Sequence, residues 1–482
     1  MGPKFAVDFL AAGARSRPDA IGLDDGERTW TYREFDARVA RAAGGLRALG
    51  ITDDVVALVS ETTAPAVVAV HAALRAGAVL APLSPRLTVD ELRDALDVLA
   101  PGLVLVGPDA WQRVVEAGVR PARVDAIEDW LSRAPAGRVT SGPERPPLPK
   151  GSRVVIWTSG TGGRSRGVAL TLANLEANIR AAAARLALGP RDRWLATLEL
   201  GHIGGLMLVL RAAATSASLV VQGRFLAEKA AALIACRSIT HASLVPTMLQ
   251  QLIEATGNGP TQGLGCLLVG GAACPRGLIE KALGAGMPLA LSYGMTETTS
   301  QATTAPPALV REKPGTVGAP LQGLDVRVAK SGEVKVRGST VAAGYVGAEL
   351  SLLDSDGWLA TGDLGEMDGD GHLWVSGRVC DRIVTGGVNV DPAEVEGVLL
   401  RHHGVFDVAV VGLPDDLWGE VVAAAIVRAA GEDPSPAELG SLARACLATA
   451  KVPRRWLFLV QIPRNANGKI DRDAVRLGFP TP

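Results

Sequence analysis

Glycines, hydroxyl residues and two arginines follow a short apolar run in this chain. The run Val154 to Trp157 leads into Thr158-Ser159-Gly160-Thr161-Gly162-Gly163-Arg164-Ser165-Arg166-Gly167. Glycines let a backbone approach an anion closely, and hydroxyl and guanidinium groups donate hydrogen bonds to phosphate oxygens. The pattern predicts a buried strand that opens into a phosphate-binding loop; a flexible surface loop is the alternative. No Gly-Lys-Ser/Thr ends the segment, so it does not fit the Walker pattern.

A second segment combines an aromatic ring, hydroxyls and a carboxylate. It runs from Ser292 to Thr299 and follows the apolar run Pro288 to Leu291. Tyr293 could cover a nucleotide base, Thr296 could hold a phosphate oxygen, and Glu297 could hold Mg²⁺, which prefers hard oxygen ligands beside phosphates. The alternative is an N-capped helix start with a capping glutamate.

Further polar residues lie towards the carboxyl end of the chain. Asp363 follows Gly362, where a carboxylate could accept both hydroxyls of a ribose; a β-turn aspartate is the alternative. Arg378 offers a cation just before a dense polar stretch. Lys469 stands alone in a turn-rich loop and is either a functional lysine or a solvated one.

The elements that must position these residues alternate between helix and strand. An amphipathic stretch covers Tyr32 to Leu49, and aliphatic runs cover Val55 to Val59 and Ala78 to Ala81. This alternation predicts parallel strands with crossover helices. Between Gly315 and Val375, short alternating strands separated by glycine and aspartate turns predict a small antiparallel sheet or barrel.

The last hundred or so residues form a self-contained pattern. We predict helices from Pro392 to His402 and from Pro436 to Leu447, with strands from Val408 to Val411 and from Val421 to Val427. A segment of this size can fold as a small α+β domain. The fold prediction is therefore α/β: a large N-terminal domain, 1–378, of doubly wound sheets with a small β-barrel-like part, followed by a small α+β C-terminal domain, 379–482.

Composition excludes several classes of protein. The 482 residues include 49 Lys and Arg and 50 Asp and Glu, a net charge of -1 that predicts neither a nucleic-acid surface nor a polybasic membrane patch. Five scattered cysteines, without a Cys-x-x-Cys pair, favour a reducing cytoplasm over a disulfide framework or a zinc site. We expect no signal peptide, because charged residues interrupt the N-terminal segment. His71 and Arg75 interrupt the apolar stretch from Ala64 to Leu83, which is therefore predicted to form a core helix and a strand and not a membrane span.

Taken together, the segments resemble the adenylate-forming superfamily of acyl-CoA synthetases, nonribosomal-peptide adenylation domains and luciferases. The resemblance runs from Tyr32-Arg33-Glu34-Phe35 through Gly77-Ala78-Val79 and Pro82-Leu83-Ser84-Pro85 to Lys469, in the family's order. It implies an enzyme in which a carboxylate attacks the α-phosphorus of Mg-ATP to give an acyl-adenylate and pyrophosphate. A thiol, expected to be that of coenzyme A, then takes the acyl group.

The resemblance also implies roles for individual residues. Glu297 would hold Mg²⁺, Tyr293 would pack on adenine, Asp363 with Arg378 would bind ribose, and Lys469 would bridge the carboxylate and the α-phosphate, with Thr296 and His202 also at the reacting centre. The C-terminal domain would rotate about a hinge at Cys380 between the two half-reactions. The remaining candidates for binding nucleotide or coenzyme A are Thr158, Ser159, Gly160, Thr161, Gly162, Gly163, Arg166, Gly167, Gly271, Ala272, Ser292, Gly294, Gly386 and Gly387.

The chain departs from the usual family pattern at four positions. In the loop, Gly162 replaces a common Thr, Ser165 a common Pro and Arg166 a common Lys. Arg166 keeps the positive charge, but Gly162 lacks a hydroxyl and Ser165 lacks the rigidity of proline. We therefore expect this loop to bind pyrophosphate more loosely than in most members of the family. Cys380 stands where many members have Asp or Lys, which leaves the behaviour of the hinge open.

The identity of the acid depends on a few pocket side chains. His202 could donate to or stack on an aromatic acid, or it could be a packed core histidine. The surroundings of His202 and of the Tyr293 segment look most like o-succinylbenzoate-CoA ligases, followed by aryl-CoA ligases for benzoate-like or anthranilate-like acids. Candidate pocket walls are His202, Gly205, Leu206, Gly270, Gly271 and Thr298.

Two other functions remain open at this point. One is a stand-alone adenylation enzyme that loads the phosphopantetheine of a separate acyl carrier protein. The other is a nucleotide-binding protein with impaired catalysis, suggested by the altered loop. The prediction is a small-molecule acid-thiol ligase that uses ATP, Mg²⁺ and coenzyme A.

Overall fold

The computed structural model describes residues 8–118, 123–132, 147–158, 165–236, 238–257, 263–347, 351–464 and 470–480. Within these ranges, seven strands form a first sheet in the order β17-β8-β7-β4-β3-β5-β6. Strands β7, β4, β3, β5 and β6 run parallel, whereas β8 and β17 are antiparallel additions at one edge. The strands are β3 (Val55–Val59), β4 (Val79–Leu83), β5 (Leu103–Val106), β6 (Val124–Ala126), β7 (Ser152–Thr158), β8 (Arg166–Thr171) and β17 (Gly344–Tyr345).

A second sheet contains eight strands of the described chain, in the order β14-β13-β12-β11-β9-β10-β1-β2. Its centre is parallel, and its outermost strands β14 and β2 are antiparallel. The strands are β1 (Ile21–Asp24), β2 (Thr29–Thr31), β9 (Arg193–Ala196), β10 (Ser218–Val221), β11 (His241–Leu244), β12 (Cys266–Val269), β13 (Leu289–Met295) and β14 (Ser300–Ala305).

Helices fill the space between the two sheets. Side chains of α2, α3 and α8 share one buried apolar cluster with strands of both sheets. The outer face of the first sheet is covered by α4 and α5, and that of the second by α9, α10 and α11. The helices up to this point are α1 (Ala11–Ser16), α2 (Tyr32–Ala48), α3 (Ala64–Ala76), α4 (Val89–Leu99), α5 (Trp111–Glu116), α6 (Ile127–Ser132), α7 (Leu172–Arg185), α8 (Ile203–Ala214), α9 (Ala227–Cys236), α10 (Pro246–Ala255), α11 (Arg276–Gly284) and α12 (Pro307–Glu312).

A third, antiparallel sheet follows in the order β15-β16-β18-β19. Its inner face joins an apolar cluster that also contains Tyr293 and Ala302 of the second sheet. The prediction of a small barrel-like part is confirmed by this sheet. Its strands are β15 (Leu324–Val328), β16 (Glu333–Gly338), β18 (Leu359–Met367) and β19 (Leu373–Arg378).

The C-terminal part is built around the long hairpin of β22 and β23, with β24 parallel to β23. Apolar clusters on the two faces of this sheet join it to α13 and α14 on one side and to α15 on the other. The elements are β20 (Ile383–Thr385), β21 (Val388–Val390), α13 (Pro392–Leu399), β22 (Val405–Asp415), β23 (Gly419–Arg428), α14 (Pro436–Cys446), β24 (Arg455–Leu459) and α15 (Arg472–Gly478).

The predicted α/β architecture is confirmed, with differences at element ends. The helix predicted to reach His402 ends at Leu399, because the chain then turns and the Gly404 N–H donates to His402 Nδ1 at 3.1 Å. The apolar stretch from Ala64 to Leu83 forms α3 and β4, as expected. No helix of the described ranges is both long enough and apolar enough to cross a membrane. The division at residues 378 and 379 stays a prediction, although the third sheet ends at Arg378 and the next strand begins at Ile383.

Candidate active site

The strand that enters the predicted phosphate loop is present. Strand β7 ends at Thr158 and β8 begins at Arg166, and these two residues pair across the hairpin. The Thr158 hydroxyl donates to the Arg166 carbonyl oxygen at 3.2 Å, which holds the two ends of the loop together. The roles of five loop residues stay predictions, because they lie outside the described residues: Ser159, Gly160, Thr161, Gly162 and Gly163.

The exposed arginine at the end of the loop lies beside a tyrosine. The Arg166 guanidinium is 5.4 Å from the ring centroid of Tyr345, which belongs to the neighbouring strand β17. Gly167 allows close packing here, since a Cβ would lie 2.9 Å from side-chain carbons of Val155 and Val346. A cation over an aromatic face is attracted by the ring, so Tyr345 holds the positive charge at the edge of the loop.

The same tyrosine contacts the candidate magnesium ligand. The Tyr345 hydroxyl donates to Glu297 Oε1 at 2.9 Å. Burial and the Glu297 charge raise the pKa of Tyr345, so its hydroxyl remains a donor. Glu297 Oε2 has no hydrogen-bond donor within the described ranges. A fixed carboxylate with one open, hard oxygen fits Mg²⁺, and the structure brings it beside the phosphate-loop strand.

The segment before Glu297 is a strand and not the start of an α-helix. Strand β13 continues through Ser292 and Tyr293 to Met295, and a single turn of 3₁₀ helix, Thr296–Thr298, follows it. Gly294 permits a very close approach of β14, because a Cβ there would lie 1.7 Å from the Ser300 carbonyl oxygen. The alternative of an N-capped α-helix is therefore wrong, and Thr296 and Glu297 project from a tight turn at a strand end.

Tyr293, Asp363 and Arg378 form one connected group. The Tyr293 hydroxyl donates to Asp363 Oδ2 at 2.8 Å, and Arg378 Nε donates to Asp363 Oδ1 at 2.9 Å. Asp363 is 6% exposed and lies within β18, directly opposite Arg378 on β19, so the β-turn alternative is wrong. Burial and the Asp363 charge raise the pKa of Tyr293, which keeps its hydroxyl protonated.

The ring of Tyr293 is largely enclosed. It packs with Ala302 and Leu321 in the cluster beneath the third sheet, and the residue is 9% exposed. Contact with an adenine base therefore stays a prediction. The observed role of Tyr293 is to fix the orientation of the Asp363 carboxylate.

The three predicted acid-pocket residues near α8 differ in their surroundings. His202 is the N-cap residue of α8, and its side chain is 35% exposed, so it is not a packed core histidine. Leu206 is completely buried in the core between the sheets. The space beside Gly205 is occupied, because a Cβ there would lie 2.0 Å from the Glu199 carbonyl oxygen. Of the three, only His202 has a partly exposed side chain.

The second predicted wall lies at the ends of β12 and β13. Gly271 and Ala272 are exposed, and Gly271 has a φ of +80°, which favours glycine. A Cβ at Gly270 would lie 2.5 Å from Ser292 Oγ, so this glycine keeps the two strand ends close together. Thr298 is fully buried, and its hydroxyl donates to the carbonyl oxygens of Met295 and Ser300. A role for Thr298 in the pocket would require those bonds to change.

A carboxylate that the sequence analysis did not single out lies next to His202. Glu199 is buried, accepts a hydrogen bond from Ser84 Oγ at 2.6 Å, and pairs with Arg86 Nε at 2.8 Å. Its Oε2 is 3.8 Å from His202 Nε2. The available signal was a single acidic residue between Leu198 and Leu200, where the apolar neighbours predict burial.

The predicted hinge lies between the third sheet and the C-terminal sheet, and the glycine pair lies in a turn of the C-terminal sheet. Cys380 is exposed and sits beside Asp381, which pairs with Arg472 at 3.2 Å. Gly386 and Gly387 connect β20 to β21 with φ values of +55° and +79°, as a two-residue hairpin turn requires. Their roles in hinge motion and thiol binding stay predictions. Lys469 lies outside the described residues.

Comparisons with known proteins agree with this arrangement. Residues 10–346 match the family model for AMP-binding enzymes, and residues 394–469 match the AMP-binding enzyme C-terminal domain. The chain is 35% identical to a 2-succinylbenzoate-CoA ligase from Bacillus licheniformis, over 96% of this chain and 98% of that protein.

Solved structures give the same result. An o-succinylbenzoate CoA synthetase from Bacillus subtilis, in complex with its acyl-adenylate intermediate, matches with a TM-score of 0.88 and 31% identity over 97% of this chain and 98% of that one. The ATP and magnesium complex of that synthetase matches with a TM-score of 0.85 and 30% identity, over the same shares of the two chains, 97% and 98%.

Proposed function

The chain belongs to the AMP-binding enzyme family, and we propose that it joins an aromatic carboxylic acid to coenzyme A at the expense of ATP. The proposed acid is of the o-succinylbenzoate type. The observation that carries this proposal is the full-length similarity, in sequence and in structure, to o-succinylbenzoate-CoA ligases, including one with a bound acyl-adenylate. The carrier-protein alternative receives no comparable support.

The reaction has two steps. A carboxylate oxygen of the acid forms a bond to the α-phosphorus of ATP, and the bond to pyrophosphate breaks. The thiol sulfur of coenzyme A then attacks the acyl carbon, AMP leaves, and the thiol proton is released to solvent. ATP is required because a free carboxylate is a poor electrophile.

The residues of the site have defined roles in this proposal. Asp363, oriented by Tyr293 and Arg378, accepts hydrogen bonds from the ribose hydroxyls. Arg166 and the loop that begins at Thr158 bind the departing pyrophosphate. Glu297 would hold Mg²⁺, which neutralises charge on the triphosphate when it is bound.

The proposed domain arrangement rests on the same resemblance to the adenylate-forming family. A C-terminal domain that begins at residue 379 would rotate at Cys380 between the two steps, which would bring Lys469 to the first step and the Gly386-Gly387 turn to the second. The proposed location is the cytoplasm, since five scattered cysteines suit a reducing compartment.

A substrate panel tests the reaction and the acid class together. Pyrophosphate release and acyl-CoA mass are measured with Mg-ATP, coenzyme A and one of o-succinylbenzoate, benzoate, anthranilate or a medium-chain fatty acid. We expect o-succinylbenzoyl-CoA as the main product. Adenylate without thioester would indicate a carrier protein as acceptor. Tight ATP binding without any acid-dependent pyrophosphate exchange would indicate impaired catalysis.

The Tyr345 hydroxyl provides a test of the metal site. Replacement by phenylalanine removes the one hydrogen bond that the Glu297 carboxylate accepts within the described residues. Loss of a group that orients a metal ligand typically weakens metal binding by about 10- to 100-fold, so the Mg²⁺ concentration for half-maximal pyrophosphate release should rise at least about tenfold. Titration of Mg²⁺ at fixed ATP measures this change.

Tyr32→Phe is the matched control. It also removes one buried tyrosine hydroxyl, which donates to the Ala217 carbonyl oxygen at 2.7 Å in the core. This variant should lose stability but keep its Mg²⁺ requirement. An unchanged requirement in Tyr345→Phe would mean that Glu297 does not hold the metal.

A further inference from the structure

Glu199 is a buried carboxylate for which the reaction so far has no role. It lies between β9 and α8 and is 8% exposed. Ser84 Oγ binds its Oε2 at 2.6 Å, and Arg86 Nε binds its Oε1 at 2.8 Å. Each oxygen is therefore held by a residue of the segment that follows β4, and the carboxylate has little freedom to move.

The backbone around Glu199 is equally constrained. A Cβ at Gly201 would lie 2.4 Å from the Ser84 nitrogen, and one at Gly205 would lie 2.0 Å from the Glu199 carbonyl oxygen. The Thr62 hydroxyl donates to the Leu198 carbonyl oxygen at 2.9 Å. These contacts join a loop of the second sheet to the carboxyl ends of β3 and β4 in the first. Strand β4 pairs with β7, whose end begins the phosphate loop.

His202 lies where this rigid group meets the predicted acid pocket. Its Nε2 is 3.8 Å from Glu199 Oε2, and a third of its side chain is exposed. A carboxylate that faces one imidazole nitrogen restricts the orientation of the ring, and so determines what the rest of the ring presents. Ser84 and Arg86, which follow a strand of the first sheet, fix Glu199 and thereby also restrict the ring of His202.

We propose that Glu199 is a positioning residue for acid recognition: together with Ser84 and Arg86 it fixes the imidazole of His202 against the aromatic acid. The proposal rests on the proposed function, since it assigns a determinant of that same acid site. A purely structural role for Glu199, as a joint between the two sheets, is the alternative that the experiment must separate.

The test uses Glu199→Gln, which keeps the size of the side chain and an acceptor for Ser84 but removes the charge. We expect the KM for the acid to rise about tenfold, a size typical of coupling between residues of one charged network, with the KM for ATP and the melting temperature nearly unchanged. Glu61→Gln is the matched control. Glu61 is a half-buried carboxylate whose pKa is raised by burial and then by the Glu199 charge, and its loss should leave the KM for the acid within about twofold.

A double-mutant cycle shows whether Glu199 acts through His202. In a His202→Asn background, Glu199→Gln should change the KM for the acid by less than about twofold, because the ring that it positions is gone. Independent, multiplicative effects of the two substitutions would overturn the proposal, as would equal rises in the KM values for acid and ATP.

Failure of the proposed function would look different. In that case the wild-type protein would release no pyrophosphate with any acid of the panel. The positioning role is then read from calorimetric binding of benzoate to the protein saturated with ATP. The same tenfold weakening in Glu199→Gln, absent in the His202→Asn background, would support it. Identical binding by wild type and Glu199→Gln would refute it.

Discussion

If Lys469 supplies the charge that we propose at the reacting atoms, its replacement by alanine will slow pyrophosphate release by about 10²- to 10³-fold. The family match to the C-terminal domain ends at residue 469. Arg464 and Ile470 form an isolated antiparallel bridge, and Arg464 pairs with Asp407 at 2.7 Å.

The two half-reactions distinguish this role from a general loss of structure. With preformed acyl-adenylate and coenzyme A, Lys469→Ala should form thioester at a rate within about threefold of wild type, since the lysine charge is needed while pyrophosphate leaves. Lys451→Ala is a control in the same domain, because Lys451 pairs with Glu394 at the surface, where such pairs contribute little. A loss below tenfold in the first step would contradict the assignment of Lys469.

Asp363→Ala is expected to lower kcat/KM for ATP by about 10- to 100-fold, the usual effect of losing hydrogen bonds to a charged acceptor. It also leaves the Tyr293 hydroxyl and the Arg378 guanidinium without their shared partner. Buried groups deprived of a partner cost about 1–3 kcal/mol each, so the free energy of unfolding should fall as well. Steady-state kinetics and denaturant unfolding measure the two effects.

Two further variants separate ribose binding from stability. Tyr293→Phe removes one hydrogen bond to Asp363 and keeps the ion pair with Arg378. It should therefore lower stability by about 1 kcal/mol and change the KM for ATP only slightly. Asp363→Asn keeps the volume and loses the charge, and we expect kinetics between those of wild type and Asp363→Ala. A loss of stability in Asp363→Ala without a loss of kcat/KM for ATP would make Asp363 a structural residue.

The candidate site is assembled from strands of different sheets. Thr158 and Arg166 come from the first sheet, Tyr293 from the second and Asp363 from the third. Tyr345 of β17 connects the residues of the first sheet to the segment that follows β13, because it contacts both Arg166 and Glu297. Such a site depends on how the sheets are placed relative to one another. Glu199 connects the first two sheets through Ser84 and Arg86, so it bears on acid recognition as well as on folding.

Much of the fold was predictable because its signals are local. An amphipathic pattern over Tyr32 to Leu49 produces α2, and the aliphatic run from Val55 to Val59 produces β3. The alternation of such segments determines a largely parallel architecture with crossover helices. The hairpin turn at Gly386 and Gly387 was not predicted, although both residues adopt the positive φ angles that a two-residue turn demands. Element ends were less accurate, as at Leu399.

The site was predictable in its residue types and less so in its contacts. The sequence by itself determined where the candidates for a phosphate loop, a magnesium ligand and a ribose ligand lie in this chain, since each motif spans only about ten residues. Only the tertiary structure decided that Tyr293 orients Asp363, that Tyr345 holds Glu297, and that Glu199 lies between Ser84 and His202. Those partners come from distant segments of the chain, and long-range packing of the strands decides which of them become neighbours. The local periodicity of a sequence carries no information about that packing.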